Sequence, residues 1–352
     1  MTLKAGDWVE IRSKEEILAT LDKNGRLDEL PFMPQMFNYC GKRFKVFKRA
    51  HKTCDTVNWT GGRRLENAVH LELRCDGSAH GGCQAGCLIY WNEAWLKGPG
   101  VESQPADRAQ GSGSTEEAVW AGTRAPSQQP GEEPRYVCQA TQLPAFTTLL
   151  PWWDVRQYVE DYTSGNLSLR RLFNGFTYLA YYHGAQTWRN RLGRPSRWFY
   201  DRFQSLRGGV AYPRTRGLIP VGQPTPTCSL NLQPGELVRV KSHKEILATI
   251  DKNYFNRGLA FDAELVPSCG KTFRVQARVS KFIDEKTGKM KTLKTPAVIL
   301  QGVWCESRYS NCKMFCPRAI YSWWREIWLE RVAEEVQPKR PESVRQVPAE
   351  VA

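Results

Sequence analysis

The sequence predicts a mainly β protein with some α structure. We expect two duplicated, small, SH3-like and partly open β-barrel domains, joined by a disordered linker and a helical segment rich in arginine and aromatic residues. Two observations lead to this prediction. Residues 6–46 and 235–275 align without a gap, with 18 of 41 positions identical. Between these copies the composition changes twice, first to a Gly-, Ser- and Pro-rich stretch and then to an arginine-rich one.

Each copy is predicted to begin with a strand and a helix. Residues 8–11 and 237–240 are short apolar runs of the kind that form strands. A capping-box spacing follows in each copy, in which a serine hydroxyl and a glutamate carboxylate satisfy free backbone N–H groups at the start of a helix. The pairs are Ser13 with Glu16 and Ser242 with Glu245.

The rest of each copy predicts further short strands. Apolar and polar residues alternate in 44–47 and 69–73, and matching segments recur at 273–275 and 297–300. Both copies then end in a Trp-x-Glu-x-Trp-Leu segment. Drawn as a helix, this segment places its two tryptophans on one face, where they would close the barrel.

Composition sets the predicted domain boundaries. The first linker is dominated by Gly, Ser, Pro, Gln and Glu, which is typical of disorder. In the segment after it, residues 168–188 can be drawn as a helix with apolar side chains mostly on one side. The predicted units are residues 1–97 (first repeat), 98–135 (disordered linker), 136–230 (helical connecting segment), 231–332 (second repeat) and 333–352 (disordered tail).

The chain has 11 cysteines, and their duplication is the strongest functional signal. Identity between the copies falls sharply after residue 46, yet four cysteines of each copy persist in register. One distant cysteine precedes a cluster spaced C-x(7)-C-x(3)-C in the first copy and C-x(6)-C-x(3)-C in the second. Four thiolates complete a tetrahedral structural zinc site. The predicted metal ligands are Cys40, Cys75, Cys83, Cys87, Cys269, Cys305, Cys312 and Cys316.

Three interpretations of these cysteines stay open. Zinc is the preferred cofactor, and an iron–sulfur cluster is the alternative because four thiolates also hold such clusters. Small buried or redox-active thiols are the third interpretation. The clustered spacing favours metal over a disulfide framework. Two cysteines outside the copies, Cys138 and Cys228, are interpreted as ordinary thiols.

The first repeat carries three further metal-binding side chains that the second repeat lacks. They are His51, Cys54 and His80, and Ser280 and Ile283 occupy the places of the first two in the second repeat. Imidazole and thiol groups are ligands for borderline metals. We therefore predict an extra or reactive site in the first repeat, although a single histidine is more often a surface or hydrogen-bonded residue.

The charge distribution predicts an anionic partner. The formal net charge is +14, and residues 136–230 contain eleven arginines and no lysine. Basic and aromatic side chains alternate near position 195, which fits contacts with a membrane surface or a nucleic acid, or simple packing within the chain. The predicted contact residues are Arg189, Arg191, Arg194, Arg197, Trp198 and Arg202. The uncharged run 172–188 contains too many polar residues for a predicted transmembrane segment.

Motifs for common catalytic sites are missing from the sequence. It has no Gly-rich phosphate loop, no Rossmann fingerprint, no H-E-x-x-H and no G-x-S-x-G. We therefore lean against an enzyme and predict a metal-binding, two-domain binding or scaffold protein. The alternatives are a metal-dependent redox enzyme or accessory protein with its active centre in the first repeat, and a nucleic-acid-binding module. Since no apolar signal segment follows Met1, a cytoplasmic location is expected, with membrane association as the open alternative.

Overall fold

Strands form most of the regular structure. The computed structural model describes residues 3–98, 113–126, 131–187, 193–206, 211–310 and 312–332, and no side chain at 184–187, 193 or 194. The structure is mainly β, as the sequence predicts, with a half-barrel sheet and several smaller sheets. The strands are β1 (Trp8–Ile11), β2 (Arg26–Leu27), β3 (Leu30–Pro31), β4 (Arg43–Arg49), β5 (Lys52–Cys54), β6 (Gly62–Arg64), β7 (Ala68–Arg74), β8 (Leu88–Asn92), β9 (Leu96–Lys97), β10 (Thr148–Leu150), β11 (Leu237–Val240), β12 (Phe255–Asn256), β13 (Leu259–Ala260), β14 (Thr272–Ile283), β15 (Met290–Trp304), β16 (Tyr321–Trp324) and β17 (Leu329–Arg331).

Two five-stranded antiparallel sheets have the same strand order. One runs β8-β7-β4-β1-β9 and the other β16-β15-β14-β11-β17. Val9 pairs with Phe44 in the first sheet, and Val238 pairs with Phe273 in the second. These positions correspond in the sequence alignment, so both copies use the same register at this point.

Helices join and flank these sheets. The α-helices are α1 (Lys14–Thr20), α2 (Glu116–Ala121), α3 (Arg156–Thr163), α4 (Leu169–Thr187), α5 (Gly193–Leu206) and α6 (His243–Leu247), and short 3-10 helices lie at Pro34–Tyr39, Glu93–Trp95, Ala263–Ser268 and Glu326–Trp328. Both predicted capping boxes are present, at the start of α1 and α6. The helix predicted at 168–188 is confirmed as α4.

The Trp-x-Glu-x-Trp-Leu segments are not α-helices, so that prediction is wrong. In each copy the first tryptophan lies in a strand, β8 or β16, and the second lies in the 3-10 turn that follows. All four rings are fully buried, because a strand and one tight turn bring both tryptophans of a copy into the same core. The indole Nε1 of Trp95 donates to Thr20 Oγ1 at 3.2 Å, and Trp328 makes the same bond to Thr249 at 3.0 Å.

Part of the predicted linker is ordered against the first repeat. Helix α2 lies within it, where Glu116 pairs with Lys14 and the Ser114 N–H donates to the Leu18 carbonyl at 2.9 Å. Residues 99–112 and 127–130 of that linker lie outside the described residues. So does the predicted tail, 333–352.

A long hairpin of the second copy reaches the first. Strands β14 and β15 have 12 and 15 residues, whereas the corresponding β4 and β7 have 7 each. The Ile283 N–H lies 3.4 Å from the Cys83 sulfur, and the Ser280 N–H donates to the Gln84 side chain at 2.7 Å. The longer hairpin thus brings the cysteine-rich ends of the two copies together.

Candidate functional site

A small cavity in the first repeat is lined by four thiols. Its volume is about 40 Å³, and Cys75, Cys83, Cys87 and Cys138 all contribute to its wall together with His80. We call these four cysteines the first thiol cluster. Three of them belong to the set predicted from the repeat, and the fourth comes from the segment after α2.

The loop after β7 positions three of these thiols. The Cys75 N–H donates to the Cys87 carbonyl at 2.8 Å, which closes the loop at its base. Gly77 has a φ of +73°, and a Cβ there would collide with the Cys83 carbonyl oxygen. Only glycine adopts this turn without strain, so the tight path of the chain at Gly77 fixes where Cys83 lies.

Burial keeps three thiols of this cluster, Cys75, Cys87 and Cys138, protonated. It raises the pKa of Cys75 to about 12, and it raises the pKa values of Cys87 and Cys138 above the ordinary thiol range. The charges of neighbouring thiolates raise the pKa of Cys75 further, because like charges oppose each other in a poorly solvated site. Ionising several of them together therefore requires a compensating cation.

His80 adds one nitrogen to this cavity. The side chain is buried, and its Nε2 lies 3.0 Å from the Val137 carbonyl oxygen. Its Nδ1 has no hydrogen-bond partner among the described residues. Burial lowers the pKa of His80, which favours the neutral ring. When Nε2 donates to the carbonyl, Nδ1 keeps the lone pair that a metal ion would need.

A second group of thiols lies where the two repeats meet. It combines Cys54 of β5 with the three clustered cysteines of the second repeat, and we call it the second thiol cluster: Cys54, Cys305, Cys312 and Cys316. The Cys54 N–H donates to the Cys316 sulfur at 3.1 Å. Cys312 packs against Gly61, next to the Gly62 that pairs with Cys54 across β5 and β6.

The two central thiols of this cluster have opposite pKa shifts. The hydrogen bond to Cys316 and burial raise the pKa of Cys54. Burial alone would raise the pKa of Cys316, but the bonds from Cys54 and from the Arg318 backbone N–H lower it below the ordinary value. Cys316 is therefore the more acidic thiol of the pair. Burial raises the pKa of Cys305 to about 12, and the charge of Glu264 adds to that effect.

Arg318 is a buried cation between the two clusters. Its side chain is 2% exposed, lines the cavity of the first cluster and forms an ion pair with Glu285 at 3.0 Å. It also donates to Thr56 at 2.6 Å. Burial raises the pKa values of Cys87 and Cys54, one from each cluster, and the positive charge of Arg318 partly offsets that rise. A guanidinium in this place favours negative charge on both groups of thiols.

Two predicted metal ligands lie apart from these clusters. Cys40 and Cys269 each follow a 3-10 helix and pack against the core of their own repeat. Cys40 is near Lys14 and Glu15 and does not line the cavity. The two cysteines occupy equivalent positions in the aligned sequences. The structure brings Cys138 and Cys54 to the clusters instead.

The structure also separates the three residues predicted as an extra site. His80 faces the first cluster and Cys54 the second, whereas His51 contacts α3. His51 Nε2 lies 3.2 Å from an Asp161 carboxylate oxygen, and Lys52 Nζ lies 2.5 Å from the other oxygen. All three side chains of this network are buried, and the network attaches the connecting segment to the first repeat.

The predicted anionic-partner residues lie on or before α5. Trp198 is 61% exposed and Arg202 is exposed, whereas Arg197 bonds to Thr215 at 2.9 Å and lies over the Tyr212 ring. Arg189 and Arg191 lie outside the described residues, as does the side chain of Arg194. No helix in the described ranges is long and apolar enough to cross a membrane.

Helices α3 and α4 form an apolar groove that the sequence analysis did not identify. It has a volume of about 510 Å³, and Trp152, Trp153, Tyr158 and Phe176 are among its lining residues. Trp153 is 68% exposed. Exposed aromatic side chains of this kind mark a surface that contacts another molecule more often than an ordinary solvated face.

Sequence reasoning missed Cys138, Arg318 and Asp161 as site residues. One signal was available for Cys138. Eight of the 11 cysteines recur in register, so a fourth ligand for either cluster could also come from the three that do not recur, which are Cys54, Cys138 and Cys228. Arg318 and Asp161 carry no local signal, since an isolated charged residue is normally solvated.

In the part of the chain that the structure describes, no three Cys, His, Asp or Glu side chains are already arranged as a metal-binding group. No protein-family model, no curated protein and no solved structure matches this chain.

Proposed function

We propose that this chain is a metal-binding scaffold protein in which the first thiol cluster holds zinc. In this proposal the two five-stranded sheets are copies of one small SH3-like barrel, and the metal attaches the first copy to the segment that supplies Cys138. The observation that carries the proposal is the cavity of about 40 Å³ shared by four thiols and His80.

The chemistry of the donor set supports zinc. Zinc prefers four thiolate or imidazole ligands in a closed tetrahedral site, and such sites contribute directly to folding. The five groups at this cavity are all of these two types. In the proposed site the four thiols are the zinc ligands, and His80, whose Nδ1 is unpartnered among the described residues, lies beside them.

An iron–sulfur cluster is the competing occupant, because four thiolates also hold such clusters. In the described residues the thiols are not arranged as a metal-binding group, so their side chains must rotate to bind either occupant.

Metal content tests this proposal. We would purify the full chain under reducing conditions, measure zinc and iron per chain by mass spectrometry, and compare Cys138→Ser with Cys40→Ser. Both cysteines are partly exposed and pack against the first core, which makes Cys40 a matched control. We expect zinc in the parent protein, one zinc fewer in Cys138→Ser, and no change in Cys40→Ser.

Other results would contradict the proposal. A parent protein without metal, or equal zinc in all three proteins, would remove the first thiol cluster as a zinc site. Iron with sulfide and a brown colour would assign the cluster to iron–sulfur chemistry instead.

We propose as a second function that the face formed by α3, α4 and α5 binds an anionic membrane surface. The apolar groove and the exposed Trp198 supply aromatic rings, which favour the interface between headgroups and acyl chains. Exposed arginines, Arg170 and Arg202, lie on the same helices and would contact phosphate headgroups. Nucleic acid is the competing partner, because the same side chains stack on bases.

Vesicle sedimentation distinguishes these partners. We expect the full chain to bind phosphatidylglycerol vesicles better than phosphatidylcholine vesicles, and Trp153→Ser to bind several-fold more weakly. Trp120→Ser is the control, since Trp120 is 49% exposed on α2 and lies outside the groove. Salt-sensitive binding to single-stranded RNA without vesicle binding would assign this face to nucleic acid.

A further inference from the structure

We propose that the second thiol cluster is a second zinc site, shared between the two repeats. This inference builds on the proposed zinc site in the first thiol cluster. Its ligands are Cys54 from the first repeat and Cys305, Cys312 and Cys316 from the second. A metal ion held there would join the two halves of the molecule directly.

The sulfur of Cys316 is already in the environment of a metal thiolate. The Cys54 N–H donates to it at 3.1 Å. Backbone N–H groups around a sulfur stabilise its negative charge and orient it, as second-shell groups do around metal ligands. When zinc replaces the proton of Cys54, two sulfurs become neighbouring ligands of one ion.

The other two thiols approach from the same side of the second repeat. Cys305 Sγ lies 3.5 Å from Ser307 Oγ, and the Phe315 N–H donates to the Ser307 carbonyl at 3.0 Å, which places Cys305 beside the chain at Cys316. Cys312 lies against Gly61 and Gly62, where a Cβ on Gly61 would be 3.8 Å from the Cys312 sulfur. Because Gly62 pairs with Cys54, this contact places Cys312 at the strand that carries the fourth ligand.

Arg318 places a buried cation beside the cluster, since it donates at 2.6 Å to Thr56, two residues after Cys54. Arg318 is fully buried with Glu285 as its ion-pair partner. A zinc ion with four thiolates has a net charge of about −2 by simple addition, and buried charges of one sign need charges of the other sign nearby.

The two clusters have the same composition. Each contains the three closely spaced cysteines of one repeat and a fourth cysteine from another part of the chain. The fourth ligand is Cys138 in the first cluster and Cys54 in the second. This arrangement also explains why the second repeat lacks a cysteine at the position equivalent to Cys54, where it has Ile283: only one such thiol is needed for the shared site.

The experiment counts zinc per chain in the full-length protein purified with a non-thiol reductant. We expect about two zinc ions in the parent chain, about one in Cys54→Ser and about one in Cys138→Ser, by one-for-one loss of a four-ligand site. Cys269→Ser should keep both, because Cys269 packs in the core of the second repeat away from the cluster. A double variant, Cys54→Ser with Cys138→Ser, should carry none.

A second measurement does not depend on variants that fold. Alkylation of the parent protein, read by peptide mass spectrometry with and without a chelator, should show Cys54, Cys305, Cys312 and Cys316 becoming reactive together as one zinc ion leaves. Labelling of these four thiols in the zinc-loaded protein would overturn the inference. So would a Cys54–Cys316 disulfide in protein purified without reductant and carrying one zinc.

The outcomes separate the two proposals. A parent chain with one zinc that Cys138→Ser loses and Cys54→Ser retains would overturn the shared site and leave the first site standing. A parent chain without zinc would overturn both.

Discussion

The two repeats share a core and differ in what surrounds it. Both have the same strand order, the same capping box and the same tryptophan–threonine hydrogen bond. The first repeat is covered by an added three-stranded sheet, β10-β6-β5, and by α2 and α3. The second repeat instead extends β14 and β15. The conserved parts build each copy, and the divergent parts join the copies to each other.

Equivalent positions show this difference most clearly. Lys52 of the first repeat corresponds to Lys281 of the second, and His70 corresponds to Ile299 by strand register. In the first repeat both residues are buried and polar. In the second, one is a partly exposed lysine on the extended hairpin and the other is an apolar core residue. Substitutions at these two positions, and at a threonine that both repeats share, test how much each contributes to the free energy of unfolding.

The largest expected effect is at the lysine pair. Lys52→Met leaves the Asp161 carboxylate buried without its ammonium partner, which costs about 3–5 kcal/mol in the free energy of unfolding. Lys281→Met removes one bond to the Gly81 carbonyl at the surface and should cost about 1 kcal/mol or less. Urea denaturation of the two variants measures both values. Equal losses would show that the Asp161 network does not attach the connecting segment to the first repeat.

The next effect depends on pH. Burial, with smaller contributions from the charges of Lys48, Arg318 and Arg74, lowers the pKa of His70 to about 3. Below pH 6.5 the unfolded chain binds a proton at this histidine that the folded chain does not, so stability falls as the pH falls. The loss is about 1.4 kcal/mol per pH unit, or roughly 2–3 kcal/mol between pH 6.5 and pH 4.5.

His70→Ile isolates this contribution, because isoleucine is the residue of the second repeat. At pH 7 the variant loses the hydrogen bond from Nδ1 to the Ile89 carbonyl, which costs about 1 kcal/mol. At pH 4.5 it should be more stable than the parent chain. If the difference in free energy of unfolding between His70→Ile and the parent chain is the same at both pH values, His70 is not held neutral.

The smallest effect should be equal in both repeats. Thr20→Val and Thr249→Val each remove the acceptor of a buried tryptophan N–H, and each should cost about 1–2 kcal/mol. Thermal unfolding of the two variants gives the comparison. If only one of the two variants loses stability, the tryptophan–threonine bond does not contribute equally in the two copies.

Much of the local structure could be predicted from the sequence. The first strand and capped helix of each copy depend on neighbouring residues only, and Ser13 and Ser242 identify them. Helix α4 was predictable for the same reason. The tryptophan segments were not, because Trp91 and Trp95 at spacing i, i+4 fit both a helix and a strand with a turn. The contacts with Phe32 decide between these, and they come from a distant part of the chain.

The sequence by itself determined that two groups of three cysteines recur in register. Only the tertiary structure decided which fourth thiol each group has near it. Cys54 and Cys316 are 262 positions apart, and no periodic pattern connects them. Local patterns record which face of a strand or helix is buried, whereas contacts between distant segments depend on how the sheets pack. Cys40 recurs in the second repeat but lies away from the cavity, whereas Cys138 has no counterpart there and lines the cavity.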